Sequence, residues 1–215
     1  MQCSKCKGTA VIFQHYSGQY LCEDHVTLDI EAKVKRLIRQ QQWMRPGDHI
    51  AVALTGTAAD NALLLFFRNL TGKRRDIQVS GIQVSGKIAD YFASAREQGI
   101  TRIALSTTLE MSAASLLADI LRGEVERCTG SGPAHTDTPV LIFPFCHIPA
   151  EEIALYARIQ RAGGDPPAPE KDDDPLLADV HTLLTAYSQR HPAAPHAIVN
   201  LCDTLRNTVD HDRVT

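Results

Sequence analysis

The chain has 215 residues, of which 44% are apolar and 22% charged, and its formal net charge is −3. These are the proportions of an ordinary globular protein with room for one main domain and a small appendage. They exclude a globally basic nucleic-acid binder, and no run approaches the roughly 20 apolar residues of a membrane span.

The first 25 residues carry the sharpest pattern. Cys3 and Cys6 are spaced C-x2-C, and Cys22 and His25 are spaced C-x2-H. Two such pairs, each presented from one tight turn, supply the four donors of a closed tetrahedral site. That is the arrangement of a structural zinc rather than a catalytic one. The stretch between them reads as a hairpin, with Val11, Phe13 and Tyr20 on one face and Ser17-Gly18 at the turn. His15 is a spare donor, read as an ordinary surface side chain. A unit this small buries little core, so its metal supplies most of its folding energy. The remaining thiols, Cys128, Cys146 and Cys202, are scattered and read as reduced intracellular cysteines. The N-terminus runs directly into the metal motif, with no signal peptide, and the expected location is the cytoplasm.

Next, Val26, Ile30, Val34, Leu37 and Ile38 recur at helical spacing through residues 26–45, opposite the basic patch Lys33, Lys35, Arg36 and Arg39. That patch is read as a solvated face in preference to an RNA contact, and Lys73-Arg74-Arg75 forms a second one. His49–Leu54 is an all but continuous apolar run, as in a strand buried on both faces. The small-residue loop Thr55–Asp60 follows, then an apolar helix from Asn61 to Leu70. A strand, a small-residue loop and a helix make an α/β unit whose helix N-terminus can receive a phosphate. Strands are expected at Asp76–Val79, Thr101–Leu105 and Pro139–Phe143. Helices are expected at Lys87–Gln98, Ser112–Arg122, Pro149–Arg161, Leu176–Arg190 and His196–Arg206. The segment from Gly163 to Pro175, with its acidic run Glu170–Asp174, reads as a solvated loop. The alternation implies a parallel sheet flanked by helices on both sides.

Three segments carry a resemblance to a known family. They are the opening Cys3-Ser-Lys-Cys6 with Tyr16-Ser-Gly-Gln-Tyr-Leu-Cys22-Glu-Asp-His25, the stretch Leu121-Arg-Gly-Glu-Val-Glu-Arg127, and the stretch Phe143-Pro-Phe-Cys-His-Ile-Pro-Ala-Glu-Glu-Ile-Ala-Leu-Tyr-Ala157. They resemble the PP-loop ATPases that thiolate tRNA to 2-thiouridine or 2-thiocytidine, of the type with an N-terminal zinc knuckle. The resemblance implies a five-stranded parallel sheet of the adenine nucleotide α-hydrolase kind. It divides the chain into a knuckle at 1–27, a linking helix at 28–45, an α/β domain at 46–206 and a polar tail at 207–215.

The family's phosphate loop, Ser-Gly-Gly-x-Asp-Ser, corresponds to Thr55, Gly56, Thr57, Ala58, Ala59, Asp60 and Asn61. Thr57 replaces its second glycine, which crowds the phosphate approach. Its second motif falls on Ser106–Ser112, where the acidic pair and its Mg²⁺ ligation are lost. Its cluster or persulfide cysteines fall on Ile82, Ser85 and Asp165-Pro166. Read this way, the protein is a degenerate member that binds ATP and Mg²⁺ through Thr55, Gly56, Thr57, Ala58, Asp60, Asn61 and Ser106. The implied partners are tRNA and an active PP-loop homologue or sulfur carrier, with a homodimer by resemblance and no membrane. No iron–sulfur cluster is expected. The alternatives are an ATP-dependent tRNA-modifying enzyme, a non-catalytic scaffold for an active thiolase, and a nucleotide sensor.

Overall fold

The computed structural model describes residues 1–85, 91–124, 139–165 and 174–212, with side chains to residue 205. Strands β1 (Ile12–Gln14) and β2 (Gln19–Leu21) pair antiparallel, bringing Phe13 opposite Tyr20 with ring centroids 4.5 Å apart. Cys22 then N-caps α1 (Glu23–Gln40), which starts earlier and ends sooner than its apolar periodicity predicts. The helix starts where the metal pair Cys22–His25 needs its first turn. Val26, Ile30, Val34, Leu37 and Ile38 form its buried stripe, as expected.

The main sheet contains β3 (His49–Leu54), β4 (Gln78–Gln83), β5 (Arg102–Ala104) and β6 (Val140–Ile142). All its pairings are parallel, in the order β4-β3-β5-β6. Among the described residues it has four strands where the family likeness implied five; no apolar run in the sequence supplied the fifth. Helices α2 (Ala58–Thr71), α3 (Phe92–Glu97) and α4 (Leu109–Arg122) alternate with the strands. Three more follow: α5 (Ala150–Ile159), α6 (Pro175–Ser188) and α7 (Ala194–Asp212). The last helix runs through most of the expected polar tail. The expected start of α3 and most of the acidic run lie outside the described residues. No described helix is long and apolar enough to cross a membrane.

The core is divided. One apolar cluster joins α1, α2, α5 and the inner strands, and includes the fully buried Phe66, Phe67, Phe145 and Tyr156. A second joins α4, α6 and α7 through Ala113, Ala114, Val180, Leu184 and Val199, and a smaller third packs α3 on the sheet through Ala51, Ala53, Ala95, Ile100 and Ile103. The chain leaves β3 toward β4, then returns to the other side of β3 to lay down β5. The carboxyl ends of β3 and β5 therefore flank a topological switch point, where open α/β sheets form their crevices.

A buried polar hub fastens the hairpin to the body. Tyr16, in the β1–β2 turn, donates its hydroxyl to Glu152 Oε1 at 2.7 Å, and Lys33 Nζ donates to the Tyr16 oxygen at 2.6 Å. Lys33 also pairs with Asp29 at 2.7 Å and lies over the Tyr16 ring. Glu152 is 1% exposed, and burial raises its carboxyl above the usual range. Its Oε2 faces Lys33 Nζ at 4.0 Å. The same burial, with Glu152 beside it, pushes the Tyr16 phenol up. His196 of α7 packs its ring 4.3 Å from that of Tyr16.

Burial, then the charges of Lys33 and His147, hold His196 down at about 4. The unfolded histidine titrates near 6.5, so between these values the unfolded chain binds a proton that the native chain lacks. Its contribution is complete above about pH 6.5 and is lost toward pH 4, at up to about 1.4 kcal/mol per pH unit. Urea unfolding at a series of pH values in this window should give a steeper loss for the wild type than for His196→Asn. Equal slopes would assign the pH dependence elsewhere.

Candidate functional site

The hairpin and the first turn of α1 bring four donors together. The ligand atoms of Cys3, Cys6, Cys22 and His25 lie within 4.8 Å of one another. Cys3 Sγ is 3.6 Å from His25 Nδ1, Cys22 Sγ is 3.2 Å from it, and Cys6 Sγ is 3.7 Å from Cys22 Sγ. Metal–ligand bonds of about 2.0–2.3 Å give a tetrahedron with edges of roughly 3.3–3.8 Å, so these donors fit a thiophilic metal. Backbone N–H groups reach two of the sulfurs. Lys5 N–H donates to Cys3 Sγ and Gly8 N–H to Cys6 Sγ. Burial works against ionisation of Cys3, but backbone donors led by Lys5 outweigh it and bring the thiol to about 6. Cys22 stands at the N-terminus of α1. His15 packs edge-on to Phe13 instead and takes no part.

The second site lies in the switch-point crevice. Gly56 has φ +102°, which only glycine adopts without strain, so the loop turns there. Thr57 is the N-cap of α2, and its hydroxyl accepts from Asp60 N–H in a reciprocal capping box. Asp60 is 3% exposed and gathers the loop around its carboxylate. Oδ2 accepts from Thr55 N–H and Thr55 Oγ1, both at 2.8 Å, and from Thr57 N–H at 3.2 Å. Oδ1 accepts from Ser106 Oγ at 2.5 Å, across the gap between the ends of β3 and β5.

The outer side of the loop is held by residues 163–165. The Asp165 carbonyl accepts from Ala58 N–H, Asp165 N–H donates to Gly56 O, and Asn61 Nδ2 donates to Gly163 O. Gly164, at φ +134°, presses so closely on the backbone of Thr57 and Ala58 that a Cβ would sit 2.7 Å from Ala58 N. All seven loop and crevice residues singled out in the sequence are thus brought to one place. The donors that would hold a phosphate meet an internal carboxylate.

Other candidates are dispersed. Glu110, from the second motif, caps the N-terminus of α5 through Ala150 N–H at 2.9 Å. Thr108 caps α4. Lys33 serves the hub, Lys35 pairs with Glu31 at 2.6 Å, and Arg39 Nε donates to Lys35 O at 3.2 Å, so three of the four residues of the basic patch on α1 are engaged within the chain. Cys146 lies beyond β6 and Cys202 is buried in α7, while Cys128 lies outside the described residues.

With this geometry in view, comparison with known proteins is informative. Residues 2–25 match the N-terminal LIM domain of 2-thiouridine synthetase TtuA. The tRNA 2-thiolation protein NcsA of Haloferax volcanii is 44% identical over 44 residues, covering 20% of this chain and 14% of the relative. The tRNA-5-methyluridine(54) 2-sulfurtransferase of Pyrococcus horikoshii is 30% identical over 86 residues, 40% of this chain and 27% of the relative. Over these segments the chain is similar to proteins of tRNA 2-thiolation. Its matches span less than a third of the length of these two relatives. The fold also superposes on the U34-tRNA thiolase NcsA from Methanococcus maripaludis, with TM-score 0.79 and 13% identity, over 96% of this chain and 88% of that one.

That structure is described with its [4Fe-4S] cluster. The expectation that an iron–sulfur cluster is excluded is therefore corrected. It rested on non-thiol residues at Ile82, Ser85 and Asp165, and it ignored the three thiols and one imidazole of the knuckle, a donor set that could bind a cluster as well as an ion.

Cys22→Ser should reduce the metal content of the purified protein at least tenfold and make the backbone around residues 21–23 protease-sensitive. Metal analysis and limited proteolysis check this. Unchanged metal content would remove Cys22 from the ligand set.

Proposed function

We propose that this chain acts on the tRNA side of 2-thiolation as a binding protein, taking an adenine nucleotide in the β3–β5 crevice without carrying sulfur to the base. One observation carries the reading: the N–H groups of Thr55 and Thr57 and the hydroxyls of Thr55 and Ser106 converge on one point of the crevice, where they meet the Asp60 carboxylate. A nucleotide phosphate must displace that carboxylate and meets its negative charge. Ile82, Ser85 and Asp165 offer no thiolate where the family resemblance implies its reactive cysteines. The same carboxylate favours a second reading, in which the chain is a non-catalytic partner of an active thiolase and the crevice stays shut.

The metal knuckle supports this role as a rigid platform. A single zinc ion suits the 3.2–3.7 Å donor separations. An iron–sulfur cluster is the other occupant, supported by the cluster of the Methanococcus maripaludis thiolase. Equimolar zinc in a colourless protein would select the ion. Iron and sulfide with visible absorption in anaerobically prepared protein would select the cluster.

Calorimetry with ATP and Mg²⁺ separates the two functional readings. Asp60→Asn should bind at least tenfold more tightly than the wild type, and adding Thr57→Arg should abolish that binding. No ATP turnover is expected with tRNA present. Failure of both wild type and Asp60→Asn to bind leaves the partner reading. Turnover to AMP in the wild type would overturn both.

A further inference from the structure

A separate cavity of about 240 Å³ lies where the first two apolar clusters meet, between the end of α1, α4, α7 and the turn after β6. Trp43 and Phe143 contribute aromatic walls, and Leu37, Leu116 and Val199 add aliphatic surface. Ser112 and Asp119 reach it from α4 and Asp203 from α7, so hydroxyl and carboxylate groups converge on an otherwise apolar space. Ligand sites are typically apolar hollows with a few placed polar groups, located where structural units join.

The lining restricts the occupant. Among the described residues it contains no lysine or arginine, so nothing there neutralises a phosphate. The carboxylates of Asp119 and Asp203 add negative charge at its edge. Arg122 and His147, which pair with them at 3.5 and 2.9 Å, are not part of the wall. Carboxylates accept from N–H groups, and aromatic rings receive a flat heterocycle on its π-face. The volume falls below the roughly 300–1,000 Å³ of drug-sized sites, which leaves room for one ring system and not for a nucleoside triphosphate. Thr107 lines the cavity and directly follows Ser106 of the crevice, so the two sites share the loop after β5.

We propose that this cavity binds an unphosphorylated nucleobase, held between Trp43 and Phe143 with its N–H groups toward Asp119 or Asp203. The base can come from a free nucleoside or from an unpaired nucleotide of an RNA whose phosphates stay outside. Binding there does not require nucleotide binding at Thr55–Asp60.

Trp43 is the single tryptophan of the chain, so its fluorescence reports on this cavity alone. The full-length, metal-loaded protein is titrated with uridine, cytidine, adenosine and guanosine, with uridine 5′-monophosphate, and with a short uridine oligoribonucleotide. A saturable change in Trp43 emission with a nucleoside supports the free ligand. A change with the oligoribonucleotide alone supports the RNA base. In either case Ser112→Phe should weaken the response at least tenfold at unchanged circular dichroism. Should that variant misfold, Asp119→Asn should still weaken it at least fivefold. The proposal is overturned if no nucleoside or oligoribonucleotide alters the emission or gives calorimetric heat. Tighter binding of uridine 5′-monophosphate than of uridine also overturns it.

Discussion

A buried carboxylate organises the switch point of the sheet in this protein. Asp60 is almost inaccessible to water, and its two oxygens are satisfied by four donors. Those donors come from the loop after β3, the first turn of α2 and the loop after β5. One side chain therefore fixes the distance between the two central strands and the direction of α2. It also supplies the negative charge that the N-terminus of α2 attracts. An empty phosphate loop would leave these N–H groups to solvent or ligand. Here the chain satisfies them itself, and Gly164 packs against the other side of the loop to keep it in place.

The metal knuckle depends on a different long-range contact. Its own core is small, and its fold follows from the metal and from N–H···S hydrogen bonds. Its orientation on the body comes from Tyr16, which reaches Glu152 across 136 residues of sequence. Lys33 offsets the charge of that carboxylate, and His196 closes the side facing α7 while remaining neutral. Separating the buried Glu152 carboxyl from the Tyr16 hydroxyl is costly, because each would be left without its hydrogen-bond partner. The knuckle is thereby a fixed part of the surface that also carries α1.

Much of this was legible in the sequence where the determinants are local. The two ligand pairs of the knuckle each sit within one turn, so spacing alone identified them. The apolar run His49–Leu54 and the stripe on α1 gave strand and helix by period. Thr57-x-x-Asp60 is also a local signal, a capping box, but the family likeness drew attention to the missing glycine instead of the cap. The fifth strand was inferred by likeness and has no apolar run behind it. The exclusion of a cluster failed for a related reason: it looked only at inherited positions and not at the donors the chain has. Long-range partners such as Tyr16 with Glu152, Ser106 with Asp60, and Glu110 with the start of α5 follow from tertiary packing, which no local pattern encodes.

The most direct test of the central claim is the behaviour of the Thr55 and Thr57 backbone amides in a ¹H–¹⁵N spectrum during titration with ATP and Mg²⁺. If Asp60 fills the cradle, both amides exchange slowly with solvent in the free wild-type protein. They should stay in place at ligand concentrations that move them in Asp60→Asn. Fast exchange in the free protein, or equal movement in wild type and variant, would show that the carboxylate does not hold the loop and would contradict the account.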